Sequence, residues 1–442
     1  MHHPSLLRVL ARAFIAGQSS TDEIVSRASI ALGKQWSWLT PLAQRYVANT
    51  AGTIRPRRRD VILFLIRDPG FRRACRKYAD ELAVEHWITE SPSMRPVAAT
   101  RNWDLPAITT AGDLASWLQV QTTELDWFAD LKGLTSNTNR PPLHHYHYRL
   151  LPKSSRAVRL IEAPKSRLKE LQRHILSGIL EKIPAHPAVQ GFVKGRSIRT
   201  FVGPHIGKDV VLRMDFCDFF PSIGGARIQA LFRTIGYPES VADLLGGICT
   251  NVVPRDVWRQ CKGDVDRHEL WEIEALYARP HLPQGAPTSP ALANICAYRM
   301  DCRLAGLAKS AGAQYTRYAD DIAFSGRKNF ADRVQLFSIY AAAIAMEEGF
   351  AVHHRKTRIM HQGVRQHLAG LVANRRVNVI RADFDRLKAT LMNCVRHGPQ
   401  TQNRDNHPDF RSHLEGLVGF VETINPEKAK RLRKLFNQIP WA

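Results

Sequence analysis

Asp320 and Asp321 stand side by side in the stretch RYADDIAFSG (317–326), between two apolar runs. Residues 313–318 have the composition of a strand, and Ile322 and Phe324 alternate with smaller residues after the pair. The spacing predicts a hairpin with the carboxylates at its turn. Adjacent like charges repel, and either a turn open to water or a bound cation offsets the repulsion. The stretch alone allows both. A third carboxylate lies upstream in VVLRMDFCDFFPSI (210–223), where an apolar run ends in Asp215 and is followed by Asp218, Phe219 and Phe220. A buried strand ending in an acid holds that charge rigidly at the rim of a sheet. Hard oxygen ligands from two separate strands are what a pair of Mg²⁺ ions needs, so the three acids together point to metal-assisted chemistry.

Two further segments carry polar groups in places where a ligand could meet them. In LPQGAPTSPALANICAYRMD (282–301), Gln284, Gly285 and Ala286 let the backbone approach a planar ligand, and Ser289 with Pro290 has the form of a helix start. In RAVRLIEAPKSRLKELQRHI (156–175), Val158 and Leu160 alternate as in a strand, a turn follows at Ala163 and Pro164, and a basic helix comes next. From that strand Arg159, or Lys153 just before it, could reach a triphosphate; a plain surface position is the alternative for each.

The elements that position these residues sit in a chain of 442 residues, 44% of them hydrophobic, which is enough for a sizeable core and two or three domains. Lys and Arg number 63 against 40 Asp and Glu, and the resulting +23 favours a polyanionic partner, nucleic acid first. No window approaches the roughly twenty apolar residues of a membrane span; VILFLI (61–66) is far shorter and reads as a buried helix or strand. No signal peptide is read at the N-terminus. Seven cysteines without C-x-x-C spacing indicate neither a disulfide framework nor a zinc site, and a reducing cytoplasm fits. Residues 1 to about 100 read as helical and basic. There RPRRRDVILFLIRDPGFRRACRKYAD (55–80) sets an apolar segment between two arginine clusters, either a solvated face or a phosphate-contacting one. Residues 103–134 suggest two short helices with a break near Gln121. In the tail, INPEKAKRLRKLFNQIPW opens a helix with Asn425 as cap and Pro426 at its first position. Lys428, Arg431 and Lys434 beyond that turn either face water or track a nucleic-acid backbone.

The segments RLIEAPKSRLKELQRHIL, HPAVQGFVKGRSI, MDFCDFFPSI, LPQGAPTSPALAN, YTRYADDIAFSG, HHRKTRIM and RQHLAGLVAN occur in an order that resembles the successive blocks of bacterial reverse transcriptases, most closely the retron type. The resemblance covers about residues 145–375, and the flanking helical segments extend it from about 100 to 442. It implies an α+β right-hand polymerase with a helical segment leading into the fingers (101–145), fingers and an antiparallel-sheet palm (146–375) and a helical thumb (376–442), preceded by a basic helical extension of unknown role (1–100) that the resemblance does not cover. It implies an RNA-directed DNA polymerase in which Asp215, Asp320 and Asp321 form the catalytic triad and, with the backbone carbonyl of Phe216, hold two Mg²⁺ ions. Phe220 matches the aromatic gate that crowds a ribose 2′ position. Gln284 and Gly285 match the block beside template base and nucleotide. Arg159 and Lys153 match triphosphate-gripping residues, and Lys356 matches a lysine assisting pyrophosphate departure.

Retron enzymes usually carry Asn-Ala-x-x-His before the Gln-Gly block, and residues 224–281 have no such stretch; Leu368, Ala369 and Gly370 stand where Val-Thr-Gly is usual. The cognate RNA and priming mode therefore stay open. If retron-like, the chain binds dNTPs and a structured noncoding RNA, starts DNA from an internal 2′-hydroxyl, and yields a branched RNA–DNA product in the bacterial cytoplasm. The expected setting is antiphage defence, with an accessory effector or toxin as a further partner and no membrane. The alternatives are a group II intron-like or other defence-associated reverse transcriptase, or a non-catalytic RNA-binding scaffold, which would predict a broken triad.

Overall fold

The computed structural model describes residues 4–16, 20–50, 57–87, 94–135, 141–152, 158–259 and 267–441. Lys153 lies outside them. The chain divides into two compact units, one of residues 1–145 with 225–254, the other of 146–224 with 255–442.

In the first unit five helices come first: α1 (Pro4–Ala16), α2 (Thr21–Ala31), α3 (Leu39–Thr50), α4 (Arg58–Arg67) and α5 (Pro69–Lys77). Their apolar stripes meet in one core that includes Leu10, Phe14, Ile24, Leu42, Tyr46, Val61, Leu65 and Phe71. The segment VILFLI lies in α4, but a helix has two sides: Val61 and Leu65 are buried, whereas Leu63 and Ile66 are 37% and 38% exposed. The expectation of a wholly buried segment is thus corrected to a one-sided one. Helix α6 (Ala111–Leu118) begins with a capping box of Thr110 and Asp113, which satisfies two free amides, and at the start of α7 (Thr122–Ala129) the Gln121 amide donates to Glu124 Oε2 at 3.1 Å. Two later helices, Gly225–Ile235 and Glu239–Ile248, join this unit. Gly247 permits the contact with α7, since a Cβ there would stand 2.1 Å from the Ala129 carbonyl oxygen.

The described residues of the second unit form three antiparallel sheets. Strands β1 (Tyr146–Pro152) and β2 (Val158–Pro164) form a ribbon. β3 (Val210–Asp215), β4 (Gln314–Tyr318), β5 (Asp321–Gly326) and β6 (Arg358–His361) form a sheet in the order β4-β5-β3-β6. β7 (His367–Leu368), β8 (Leu371–Val372) and β9 (Asn378–Val379) make a small third sheet. Ala369 and Gly370 are the two-residue turn between β7 and β8, both at positive φ, as the twist of a tight hairpin requires. Val211 and Ala323 share a core with Leu391, Val418, Leu432 and other residues of the helices Arg381–His397, Phe410–Ile424 and Pro426–Phe436. Asn425 caps the last of these, accepting from the Lys428 amide at 3.1 Å. No helix among the described residues is long and apolar enough to cross a membrane.

Against the sheet lies a fully buried histidine. His205 Nδ1 is 2.6 Å from Ser325 Oγ on β5 and its Nε2 is 2.7 Å from Thr316 Oγ1 on β4. Burial, with Lys208 adding in the same sense, pushes its pKa down to about 3, so the folded protein keeps it neutral. The unfolded chain binds this proton near pH 6.5, so between those values it binds more protons than the folded one and stability falls as pH falls. Urea denaturation between pH 7 and 4 is expected to show that loss, and His205→Gln is expected to make the dependence shallower.

Candidate active site

The three aspartates are brought together by strand pairing. Asp215 ends β3, Asp321 begins β5, and the two are direct cross-strand partners. Tyr318 pairs with Asp321, so Ala319 and Asp320 are the two turn residues between β4 and β5, with Ala319 at φ +54°. The backbone is clamped on both sides of Asp215. The Phe216 amide donates to the Asp320 carbonyl at 3.0 Å, the Cys217 amide to Ala351 at 2.8 Å, and the His353 amide to the Asp215 carbonyl at 2.7 Å.

Two cations face the carboxylates. Lys356 Nζ donates to Asp215 Oδ1 at 2.9 Å, and Arg213 holds Asp321 Oδ1 through Nε at 2.8 Å and Nη2 at 2.7 Å. Even so, burial and the charge of Asp215 push the Asp320 carboxyl up from its ordinary value. Burial does the same to Asp321, with Arg213 opposing and Asp215 adding. The carboxylates are thus partly desolvated and close to one another, although two basic side chains face them. Among the described residues no three acidic, histidine or cysteine side chains already form a metal cage, and Asp215 and Asp321 turn to Lys356 and Arg213. The donor chemistry nevertheless fits hard divalent cations: carboxylate oxygens from separate strands, partly desolvated and mutually repelling.

Behind the turn sits a buried polar hub. Arg317 and Asp301 are both 0% exposed and joined by two bonds, Nε–Oδ1 at 2.8 Å and Nη2–Oδ2 at 2.6 Å. The Tyr315 hydroxyl donates to Asp301 at 2.7 Å. Arg317 Nη1 also reaches Asn294 Oδ1 at 3.0 Å and the Ala319 carbonyl at 3.2 Å, and Asn294 in turn donates to the Gly191 carbonyl at 2.9 Å. The arginine thus fixes the turn that presents Asp320.

The other expected site residues are placed as follows. The Phe216 ring is buried against Phe219 and Phe350, so only its backbone can serve the site. Phe220 is half-buried, edge-on to Phe219 at 5.6 Å. The segment after it is continuous with the Gln-Gly block, because the Leu282 amide donates to the Ile223 carbonyl at 3.1 Å. That block is pinned to β2: the Glu162 amide donates to the Gln284 carbonyl at 2.9 Å. Gly285 has φ +134°, and a Cβ on it would stand 2.8 Å from the Glu162 carbonyl oxygen, so glycine is required there. Arg159 is exposed on the same strand. Lys428 is drawn over the Phe384 ring at 5.0 Å, while Arg431 and Lys434 are exposed; no contact joins the three to the aspartates.

Sequence reading missed Arg213, Glu162, His281 and the Arg317–Asp301 pair. Glu162 and His281 are both fully buried, with His281 Nε2 at 3.1 and 3.2 Å from the Glu162 carboxylate oxygens. They join β2 to the start of the Gln-Gly block. The available signal was a second charge inside an otherwise apolar strand, as Arg213 is beside Asp215 in VVLRMD and Glu162 beside Arg159 in VRLIEAP.

The reverse transcriptase (RNA-dependent DNA polymerase) family matches residues 151–392. The chain is 38% identical over 345 residues to the Retron Mx65 reverse transcriptase of Myxococcus xanthus, covering 76% of this chain and 73% of that protein. It is 33% identical over 340 residues to the Retron Mx162 reverse transcriptase of the same organism, covering 74% of this chain and 66% of that one. It is 30% identical over 279 residues to the Retron Ec86 reverse transcriptase of Escherichia coli, covering 62% and 74%.

Removing one partner of the buried pair leaves an uncompensated charge, so Asp301→Ala is expected to cost about 3–5 kcal/mol of unfolding free energy in urea titrations. The double change Asp301→Leu with Arg317→Met is expected to recover much of that loss while leaving the Asp320 turn less fixed.

Proposed function

The chain belongs to the reverse transcriptase family and, within it, to the retron enzymes, and from that premise we propose that Asp215, Asp320 and Asp321 are the catalytic triad of its RNA-directed DNA polymerase. The observation that carries this is the direct pairing of Asp215 with Asp321 and the placement of Asp320 in the adjoining turn. In this reading the four-stranded sheet is the palm, the β1–β2 ribbon belongs to the fingers, and the helices after 380 form the thumb.

Polymerases of this family use divalent metals; here the proposed set is two Mg²⁺ ions held by the triad and the Phe216 carbonyl. When bound, they would make the primer hydroxyl easier to deprotonate and offset charge on the phosphates. The chain's own residues supply positioning. The primer hydroxyl oxygen gives its proton to water and bonds to the α-phosphorus of a dNTP as the bond to the pyrophosphate oxygen breaks. Lys356, 2.9 Å from Asp215 in this structure, stands beside the triad with a proton to offer the departing pyrophosphate. Arg159, and Lys153 upstream of it, would hold the triphosphate. Gln284 and Gly285, fixed to the same strand through Glu162, would set the floor beside the nascent pair. Phe220, with part of its ring free, would crowd a ribose 2′-hydroxyl.

The retron reading extends to a structured noncoding RNA as template, an internal 2′-hydroxyl as primer, and a role in antiphage defence beside an effector protein. It is supported by the identity to the retron enzymes over three quarters of the chain. Nucleic acid recovered from the native host with the protein is expected to contain short DNA joined to RNA through a 2′-linkage that a debranching enzyme cleaves. RNA without linked DNA would move the enzyme to another priming class.

On a DNA primer annealed to RNA, Asp320→Ala is expected to abolish dNTP incorporation while filter binding of the template stays within about twofold; retained synthesis would overturn the site assignment. Phe220→Ala is expected to raise rNTP incorporation relative to dNTP by about tenfold or more, read as the ratio of kcat/KM values. An unchanged ratio would leave Phe220 a packing residue.

A further inference from the structure

The two arginine clusters of the first unit lie outside the residues matched by the polymerase family, and one of them lines a groove. Along α5, Phe71 and Ala74 face the core, which leaves Arg72, Arg73, Arg76 and Lys77 exposed. Asp68 caps this helix, accepting from the Phe71 amide at 2.6 Å. The same carboxylate holds Arg45 of α3 by two bonds, Nε–Oδ2 at 2.7 Å and Nη2–Oδ1 at 2.9 Å. Gly70 makes this possible: a Cβ there would stand 2.2 Å from Arg45 Nη2. One guanidinium is thus locked against the first turn of α5.

Beside it is a cluster of rings. Trp36 lies 4.8 Å from Tyr78, and Trp38 lies 5.7 Å from Phe71. Between these elements opens a groove of about 710 Å³, lined by Trp38, Tyr78, Arg45, Arg73, Arg76 and Lys77 among others. No carboxylate lines it, and Asp68 beneath is already engaged by Arg45. Arg73 and Arg76 form no ion pair among the described residues.

A basic helix face that is merely solvated needs neither a floor of aromatic rings nor an arginine fixed at its edge. Trp38 and Tyr78 are half-buried, and Lys77 Nζ stands 5.1 Å from the centre of the Tyr78 ring. Partly open rings beside unneutralised cations are a composition that holds unpaired nucleotides: bases stack on the rings and phosphates meet the cations. We propose that this groove is a second nucleic-acid site, which takes a single-stranded RNA segment with bases against Trp38 and Tyr78 and phosphates against Arg73, Arg76 and Lys77. The choice of RNA rests on the polymerase reading; the groove and its charge do not.

The test uses the full chain and a 12-nucleotide single-stranded oligoribonucleotide carrying 4-thiouridine. After irradiation, adducts mapped by mass spectrometry are expected on peptides containing Trp38 or Tyr78. Arg73→Glu with Arg76→Glu is expected to cut those adducts at least tenfold while extension of a DNA primer pre-annealed to RNA stays within twofold. Arg73→Lys with Arg76→Lys is expected to restore most of the yield, since phosphate attraction needs the charge. Adducts confined to residues 146–442, or a charge-reversed protein that crosslinks like the parent, would overturn the proposal. So would stronger displacement of the probe by a DNA 12-mer or a poly-glutamate peptide than by unlabelled RNA. Asp320→Ala, run in parallel, keeps the two readings separable: it is expected to retain the Trp38 and Tyr78 adducts without incorporation, and adducts lost with Asp320 would place the probe in the polymerase site instead.

Discussion

Two carboxylates that face each other across an antiparallel strand pair repel, and the second unit is organised around holding Asp215 and Asp321 in that position. The sheet prevents them from moving apart, because each is anchored by backbone bonds on both sides and the pairing register cannot slip without reversing every side chain along the strands. Lys356 and Arg213 take up part of the charge. Burial, first of all, and the charge of Asp215 raise the proton affinity of Asp320 and Asp321 all the same; carboxylate oxygens crowded in this way suit hard divalent cations.

Such a site needs rigid surroundings, and the structure supplies them with buried polar groups where apolar packing would be cheaper. The Arg317–Asp301 pair is completely enclosed and reaches the Ala319 carbonyl, so the turn carrying Asp320 is tied to the helix that carries Asp301. Glu162 and His281 play the corresponding role on the other side, joining the strand of Arg159 to the Gln284–Gly285 block. Buried ion pairs seldom add net stability, since desolvation offsets much of their attraction. Their value here is directional: a bidentate arginine fixes both distance and plane, which a cluster of leucines would leave loose.

The first unit follows different rules. Its helices carry an ordinary apolar core, and one of its two arginine clusters is displayed on one helix beside half-buried tryptophan and tyrosine rings. Charge of one sign held without counter-ions costs stability through self-repulsion, so the arrangement makes sense for a surface whose partner supplies the opposite charge.

The individual blocks, the adjacent aspartates, the acid ending an apolar run and the Asn425 cap were legible in the sequence because each depends on residues within a few positions of one another. The hairpin followed from alternation alone, though its turn falls at Ala319 and Asp320 and Asp321 already belongs to β5, because Tyr318 pairs with Asp321; the family followed from the ordered series. The partners of those residues were not legible. Arg213 meets Asp321, Glu162 meets His281 and Lys356 meets Asp215 across separations of 108, 119 and 141 residues. The same holds for residues 225–254, which lie between two site segments in the chain yet pack with α7 in the other unit, and for α4, whose apolar run gives no sign of which side meets a core. Local patterns fix what a segment can become and which chemistry it can carry. Only the closing of the chain decides which charges become neighbours, because that choice is set by packing against residues far away in sequence.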